Sequence, residues 1–346
     1  MKKENNKFIW TILSLLIAAA SIWAVASQAK DVSFPTIISH LADAANPWLY
    51  AAVGGMLGFI FFEAVALRSI SRAFHSPCTL RRSILYSSAD IYFSAITPSA
   101  TGGQPACAFL MMRDGISGVV TTLALLLNLA MYSLSILAIG LLCFTIKPGI
   151  FLYFGTTAKI LIVLGFTVQI GLALSLLLLI KNEFLLARVC TWVLHLLAKL
   201  HLLRNVETKE EHLLASMERY RQSVSILAGQ RKLLFQVFLW NFLQRASQIS
   251  VTMFVYLAMG GNVHRAFDLW AMQSYVVLGS NCVPIPGAMG VADYLMLDSF
   301  RTILDAQQAI RLELLSRSLS FYCCILICGM SVLFHYLIQK KKGAQP

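Results

Sequence analysis

The sequence predicts an all-α, polytopic integral membrane protein whose single domain, residues 1–346, crosses the bilayer about six times. Hydrophobic residues make up 58% of the chain and charged residues 13%, whereas a soluble domain carries about 25% charged residues to cover its exterior. The apolar residues also form long runs, and about 20 helical residues span a hydrocarbon core about 30 Å thick. This composition excludes an ordinary soluble domain.

Six apolar segments are long enough to cross a bilayer as helices. The first follows a basic N-terminus and ends near Ala24-Val25-Ala26, which resembles a signal peptide. Its apolar run of about 19 residues is longer than a typical signal-peptide core, so we expect a retained anchor. The six predicted spans are 8–26, 48–67, 118–143, 156–180, 234–258 and 314–338.

The basic residues predict which side of the membrane each loop faces. A net charge of +12 would favour a nucleic-acid partner in a soluble protein, but here the cations lie mostly in loops and at the chain ends. We therefore expect both termini in the cytoplasm and no nucleic-acid partner. With that orientation, 19 of the 28 Lys and Arg residues lie in the inner segments 1–7, 68–83, 181–232 and 339–346.

Two apolar stretches, 84–112 and 268–300, are interrupted by proline and glycine. Broken helices at membrane depth persist only where they are buried in protein or line a wet cavity. Each stretch is therefore predicted to form a re-entrant helix hairpin, the first entering from the cytoplasm and the second from outside. The interruptions are Thr97-Pro98-Ser99 and Gly102-Gly103-Gln104-Pro105 in the first stretch, and Pro284, Pro286, Gly287 and Gly290 in the second.

The two predicted hairpins share a spacing pattern. Gly102 follows Pro98 by four residues, as Gly290 follows Pro286. Arginine follows the same prolines by 15 residues, at Arg113 and Arg301. Opposite entry sides and a shared pattern are typical of an inverted-topology repeat.

The connection 183–230 is the one long polar segment, and it contains two amphipathic stretches. In the second, apolar residues recur at helical spacing. Two interpretations stay open: helices lying on the inner leaflet surface, or a solvated helical hairpin packed on the bundle. The apolar residues are Leu213, Met217, Tyr220, Val224 and Leu227.

A polar stripe runs along the predicted span 234–258. Asn241, Arg245, Gln248 and Thr252 are spaced as one helix face, and an ionisable group at membrane depth costs about 3 kcal/mol or more. The stripe therefore predicts a cavity in which Arg245 binds an anion. The alternative is an internal salt bridge, for which Glu63 is the candidate partner.

The hairpin tips are the second candidate for anion binding. Helix N-termini at a chain break offer unpaired N–H groups and a positive dipole end, and glycine lets a ligand approach the backbone closely. Arg113 and Arg301 would complete two cationic clusters, and Glu63 or Asp90 would balance the empty site. The alternative is that the breaks are purely structural. The tip residues are Pro98, Gly102, Gly103, Pro286, Gly287 and Gly290.

The sequence contains no pattern for a metal, a cofactor or a catalytic group. The eight cysteines lack zinc-site spacing, and no HExxH motif occurs. There is also no GxxxxGK[ST] phosphate loop and no Gly-x-Ser-x-Gly elbow. We expect no metal, no cofactor and no ATPase or hydrolase activity.

The residues around the two breaks resemble the signatures of the lysylphosphatidylglycerol synthase transmembrane family, and the resemblance spans nearly the whole chain. Gln104 and Asp293 stand where that family's pattern leads us to expect glutamates. The first signature corresponds to Ile96-Thr97-Pro98-Ser99, Gly102-Gly103-Gln104-Pro105 and Arg113-Asp114-Gly115-Ile116-Ser117, and the second to Pro284-Ile285-Pro286-Gly287-Ala288-Met289-Gly290-Val291-Ala292-Asp293.

The resemblance implies a function in lipid transport. The family's best-known members, the multiple peptide resistance factors, join a lipid flippase module to a soluble domain that transfers an aminoacyl group from tRNA to phosphatidylglycerol. The resemblance therefore implies a translocase of the bacterial cytoplasmic membrane, linked to antibiotic resistance. Its partner would be an anionic or aminoacylated phospholipid, or another lipid-linked headgroup. The chain ends eight residues after its last predicted span, so we expect the translocating part without the transferase.

Two other functions stay open. The chain would serve as a membrane subunit of lysylphosphatidylglycerol synthesis if a separate aminoacyltransferase were its partner. It would be a membrane scaffold if the Arg245 stripe were dispensable. A homo-oligomer is compatible with each function.

Overall fold

A computed structural model describes residues 47–76, 78–97, 100–199, 206–283, 285–288 and 290–343. The model is 89% helical and contains no strand over this part of the chain, which confirms the all-α prediction. The predicted span 8–26 and the tip residue Pro98 lie outside the described residues.

Twelve α-helices occur within the described ranges, and they follow one another through short connections. A 3₁₀ turn precedes α5, another precedes α10, and a π-helical turn joins α11 to α12. The helices are α1 (Pro47–Ala73), α2 (Leu80–Ile96), α3 (Gly103–Arg113), α4 (Gly118–Ile146), α5 (Thr156–Lys181), α6 (Glu183–Lys199), α7 (Val206–Gly229), α8 (Arg231–Ala258), α9 (Val263–Ser280), α10 (Val291–Phe300), α11 (Ala306–Arg317) and α12 (Cys324–Gly343).

Among the described residues, four helical stretches are long and apolar enough to cross a membrane: α1, α4, α5 and the run Ala306–Gln339, which joins α11 to α12. They contain the predicted spans 48–67, 118–143, 156–180 and 314–338. Helix α8 contains the predicted span 234–258 and has 28 residues, a length of about 42 Å at 1.5 Å per residue. It is not among the four apolar stretches, and the total of six spans stays a prediction.

Both interrupted stretches fold as two helices around a break, with the outer ends of the two arms in contact. In the first hairpin, α2 and α3, Tyr86 near the start of α2 donates a 2.6 Å hydrogen bond to Asp114 after α3. In the second hairpin, α9 and α10, Arg265 near the start of α9 donates to the Ile303 carbonyl after α10. Each pair of arms therefore runs antiparallel, as a hairpin requires.

Close backbone approach joins α1 to α8 at the centre of the bundle. A side chain at Gly55 would lie 2.9 Å from the Ser247 carbonyl, and one at Gly58 would lie 3.0 Å from the Ser247 hydroxyl. Gly54, in contrast, faces nothing within 4 Å. The small residues that allow this contact are therefore Gly55 and Gly58, and the contact holds Glu63 of α1 near the middle of α8.

The long connection folds as a pair of helices, α6 and α7, that pack against each other. Tyr220 and Leu227 on the predicted apolar face of α7 are buried, and the Tyr220 hydroxyl donates to the Ile180 carbonyl at the end of α5. Helix α6 instead exposes Phe184 and Trp192, which are 79% and 63% accessible. One helix therefore packs on the bundle, and the other turns large apolar side chains outward.

Candidate functional site

A cavity of about 620 Å³ lies between α1, α2, α4, α8, α9 and both hairpin breaks. Its volume is within the range of about 300–1,000 Å³ that is typical of small-molecule sites. Residues on either side of the first break, Ser94 and Ala100, line it together with residues of the second break, Ile285 and Ala288. The 3₁₀ turn of the second break also packs against α2. The fold thus brings both breaks to one chamber.

Arg245 is one of two arginines in the described cavity lining, with Arg317, and it is only 5% exposed. Its guanidinium lies 4.3 Å from the centre of the Tyr132 ring and 5.8 Å from that of Phe59. One terminal nitrogen donates a hydrogen bond to Gln248, while Nε is buried without a hydrogen-bond partner in the described structure. Arg245 is therefore held by aromatic rings and one amide.

No described carboxylate lies within 4.0 Å of the Arg245 guanidinium. Glu63 attracts it electrostatically from a longer distance, so the salt bridge considered from the sequence does not form. The Glu63 carboxylate instead accepts hydrogen bonds from Ser87 at 3.0 Å and Gln244 at 3.2 Å. Arg245 is left facing the cavity without a directly bound counter-charge.

Asp90 is the second buried carboxyl group of the site, and it interacts electrostatically with Glu63. Its Oδ2 accepts from the Gln104 amide at 2.7 Å, and its Oδ1 accepts from the Ser94 hydroxyl at 3.2 Å. Gln104 thus joins the two arms of the first hairpin. An amide suits this position because it donates to Asp90, whereas a glutamate carboxylate there would only accept.

The polar stripe of α8 divides between two environments. Arg245 and Gln248 line the cavity, but Asn241 turns toward α4 and donates to Asn128 at 3.0 Å. Thr252 is buried outside the lining. Gln244 reaches the cavity although it lies off the predicted stripe.

The second break holds its own charges in an ion pair. Arg317 Nε lies 2.8 Å from Asp293 Oδ1, and Asp293 Oδ2 accepts from the backbone N–H of Gly290 at 2.8 Å. Arg317 also donates to the Gly287 carbonyl and lies 5.2 Å from the Phe321 ring centre. The sequence did not assign Arg317 to the site. Of this group, Arg317, Gly287 and Phe321 line the cavity, and Asp293 lies behind them.

Gly102, Gly103 and Gly287 are closely packed, whereas Gly290 faces open space, and the N–H groups of Gly102 and Gly290 are already bonded. A side chain at Gly103 would overlap Asp90 and Ser94, and one at Gly287 would overlap the Phe321 ring. Gly102 donates its N–H to the Thr97 hydroxyl at 2.9 Å, just as Gly290 donates to Asp293. The expectation of unpaired N–H groups for an anion therefore does not hold at Gly102 and Gly290.

The two arginines that follow the tips do not reach the cavity. Arg113 ends α3 and Arg301 follows α10, and both side chains are exposed and outside the lining. Pro286 begins the 3₁₀ turn of the second break. The cation that the fold places beside each break is Arg245 or Arg317 instead.

Both tips contain an alanine with left-handed backbone. Ala100 has φ of +54° and Ala288 has φ of +51°, and both line the cavity. Each lies two residues after the proline of the shared pattern, Pro98 or Pro286. This likeness in the backbone extends the spacing pattern that predicted an inverted repeat.

Comparison with protein-family models finds one match, over residues 11–328, to the family described as "Lysylphosphatidylglycerol synthase TM region". The matched range includes both hairpins and every residue of the cavity lining. Comparisons with curated proteins and with solved structures find no match.

Proposed function

We propose that this chain, which belongs to the family of lysylphosphatidylglycerol synthase transmembrane regions, moves an anionic lipid headgroup across the membrane through the cavity. The observation that carries the proposal is Arg245, a buried guanidinium in the cavity wall with no described carboxylate within 4.0 Å. A charge in a membrane interior is costly unless it is paired. A lipid phosphate would supply the missing partner.

The cavity would replace the water that a headgroup leaves behind. Hydrocarbon offers no hydrogen-bond partners, and polar groups cross it at high cost. Amides and the guanidinium in the lining would take over these bonds, while the acyl chains stay in the bilayer. The outer face of α5 is suited to contact with the acyl chains, because its apolar side chains Ile160, Leu174 and Leu178 are exposed.

The proposal includes a location in the bacterial cytoplasmic membrane with both termini and the pair α6–α7 in the cytoplasm. The positive-inside distribution of Lys and Arg supports this orientation. External labelling of a cysteine introduced on α7, in intact cells, would contradict it.

A lipid-movement assay with purified protein tests the function. The chain is reconstituted into liposomes that contain trace phosphatidylglycerol with a fluorophore on one acyl chain, and external dithionite then reports the rate at which inner-leaflet lipid reaches the outside. We expect Arg245→Ala to lower the protein-dependent rate at least tenfold, since it removes the phosphate partner. Arg245→Lys should recover part of it, because lysine keeps the charge but loses the planar fork.

Arg311→Ala is the matched control, since Arg311 is exposed on α11 and outside the lining. It should move lipid like the unaltered protein. A normal rate in the Arg245→Ala protein would rule out this mechanism and favour the scaffold function.

The second candidate function is a membrane part of lysylphosphatidylglycerol synthesis, with a separate aminoacyltransferase as the partner. The family description favours it, and the Glu63–Asp90 pair offers carboxylates to a lysyl amine. Expression in a host without this lipid, followed by lipid chromatography, separates the two functions. Lysylphosphatidylglycerol would appear only if the chain or its host partner completes a synthase.

A further inference from the structure

Carboxamides are the most numerous kind of polar side chain in the described cavity wall. Seven described carboxamides line it, and they come from α3, α4, α5, α8, α9 and the second break. Carboxamides donate and accept hydrogen bonds but carry no charge. The seven are Gln104, Asn128, Gln169, Gln244, Gln248, Gln273 and Asn281.

Some of these amides lack partners for their oxygen atoms. The Oε1 atoms of Gln244 and Gln273 are buried without a hydrogen-bond partner in the described part of the chain, and Gln244 is only 2% exposed. A buried acceptor without a donor is costly, so native structures rarely keep one unless something binds there. These oxygens are available to a ligand that donates hydrogen bonds.

Hydroxyl groups fit this wall better than amines do. A hydroxyl both donates and accepts, as a carboxamide does. An ammonium group only donates hydrogen bonds, so it can satisfy the amide oxygens but not the amide N–H groups. The seven carboxamides are neutral and cannot balance an added positive charge. Arg245 completes the match, because it would hold a phosphate beside the hydroxyl-binding amides.

We propose that the cavity selects lipid phosphates whose headgroup carries several hydroxyls, as a sugar or polyol does, through its ring of carboxamides. This inference rests on the proposed function and specifies its substrate class. A site built to bond hydroxyls rejects an analogue without them strongly, because its own polar groups are then left unpaired. The volume of about 620 Å³ leaves room for a ring next to the phosphate.

A headgroup series at constant charge tests the inference. Acyl-labelled phosphatidylinositol, phosphatidylglycerol and phosphatidylmethanol each carry one negative charge but have many, two and no headgroup hydroxyls. In the dithionite assay, we expect phosphatidylinositol to move fastest and phosphatidylmethanol slowest, with about a tenfold difference or more. Equal rates would overturn the inference and leave the proposed function standing. If none of the three lipids moves, the proposed function itself fails.

Two further measurements in the same assay distinguish a polyol lipid from other possible ligands. Lysylphosphatidylglycerol that moves faster than phosphatidylinositol would overturn the inference, because it would assign the cavity to an amine. Radiolabelled inositol phosphate, added outside the same vesicles, tests a soluble phosphate as the ligand. Its uptake without movement of phosphatidylinositol would show that the ligand is not a lipid, and would also overturn the inference.

Variants of the amides provide the second test. We expect Gln273→Leu and Gln169→Leu to lower the ratio of the phosphatidylinositol rate to the phosphatidylmethanol rate severalfold. Gln307→Leu, at an exposed glutamine outside the lining, should keep the ratio. The ratio is independent of the amount of folded protein, so a partial folding defect does not mimic the effect. An unchanged ratio in both amide variants would contradict the role of the carboxamides.

Discussion

The two hairpins have the same outline but hold their charges in opposite ways. In the first hairpin, Asp90 is 6% exposed and bonds the Gln104 amide, with no described cation within 4.0 Å. In the second, Asp293 pairs with Arg317 at 2.8 Å and also caps the N-terminus of α10 through Gly290. The tip carboxylate of the second hairpin is therefore held by a cation, Arg317, whereas the tip carboxyl group of the first hairpin is held by an amide and a hydroxyl group.

A buried charged group with a bound counter-charge therefore has a structural role, whereas one without a bound counter-charge can serve a ligand. Removing one member of a compensated buried ion pair strands the other, and the loss of stability is large. Removing a buried charge without a bound counter-charge strands nothing, and the loss is small. Stability measurements on matched variants can therefore break or sharpen the comparison.

The largest expected contrast is between the two cavity arginines. Arg317→Ala should lower the free energy of unfolding by about 2 kcal/mol, because it removes the counter-charge of Asp293, which is one-third exposed, and loses the stacking on Phe321. Arg245→Ala should lower it by less than about 1 kcal/mol, since no described carboxylate within 4.0 Å depends on it. Denaturant unfolding in detergent, followed by circular dichroism, measures both.

Asp293→Asn combined with Arg317→Ala serves as the control for that experiment. The double variant should recover part of the loss, because no charge is then stranded. Equal losses for the two single arginine variants would mean that Arg245 is paired after all.

A smaller contrast is expected from the same isosteric change in each hairpin. Asp293→Asn should lower the free energy of unfolding by about 1–2 kcal/mol, because Arg317 loses its counter-charge and Asp293 is one-third exposed, which screens the pair. Asp90→Asn should leave stability unchanged or slightly raise it, since Asp90 and Glu63 are two carboxyl groups in one buried site and the change removes one of them. Thermal unfolding in the same detergent compares the two proteins. A larger loss from Asp90→Asn would reverse our assignment.

The sequence was sufficient to predict the helical membrane fold and the two breaks, because these depend on local properties. Length and apolarity define a span, and proline and glycine interrupt it. The position of Arg245 in a polar stripe on one face of α8 also predicted a cation in a cavity, since a charge at membrane depth must avoid lipid. The breaks, the four apolar stretches and the burial of Arg245 are all present in the structure.

The parts of the site that were missed depend on contacts between distant helices. Glu313 and Arg317 are four residues apart, a spacing that favours an ion pair within one helix, but Arg317 pairs with Asp293 of the second hairpin. Arg113 and Arg301 matched in spacing but lie at the outer ends of the hairpins, away from the tips. Spacing along the sequence shows which residues share one face of a helix. Which residues that face contacts depends on tertiary packing, which the spacing does not show.

The hairpins are alike in one respect, the left-handed alanines at their tips. Ala100 and Ala288 have φ of +54° and +51°, a conformation that costs an L-residue with a side chain about 1–2 kcal/mol. Such strain persists where the surrounding structure imposes it, and it is concentrated at functional sites. Here both strained residues line the proposed translocation cavity. His75 has the same φ of +54° but lies outside the lining, after α1.

The smallest expected effect follows from this likeness. Ala100→Gly and Ala288→Gly should each raise the free energy of unfolding by about 0.5–1 kcal/mol, because glycine adopts positive φ without a steric cost but loses more entropy on folding. If the strain serves the movement of the tips, both variants should also move lipid more slowly, whereas His75→Gly should gain similar stability at an unchanged rate. Paired measurements of unfolding and lipid movement on the three proteins decide this. A rate change in only one of the two tip variants would mean that the hairpins differ in motion as well as in charge, and unchanged rates in both would make the left-handed alanines a purely structural feature.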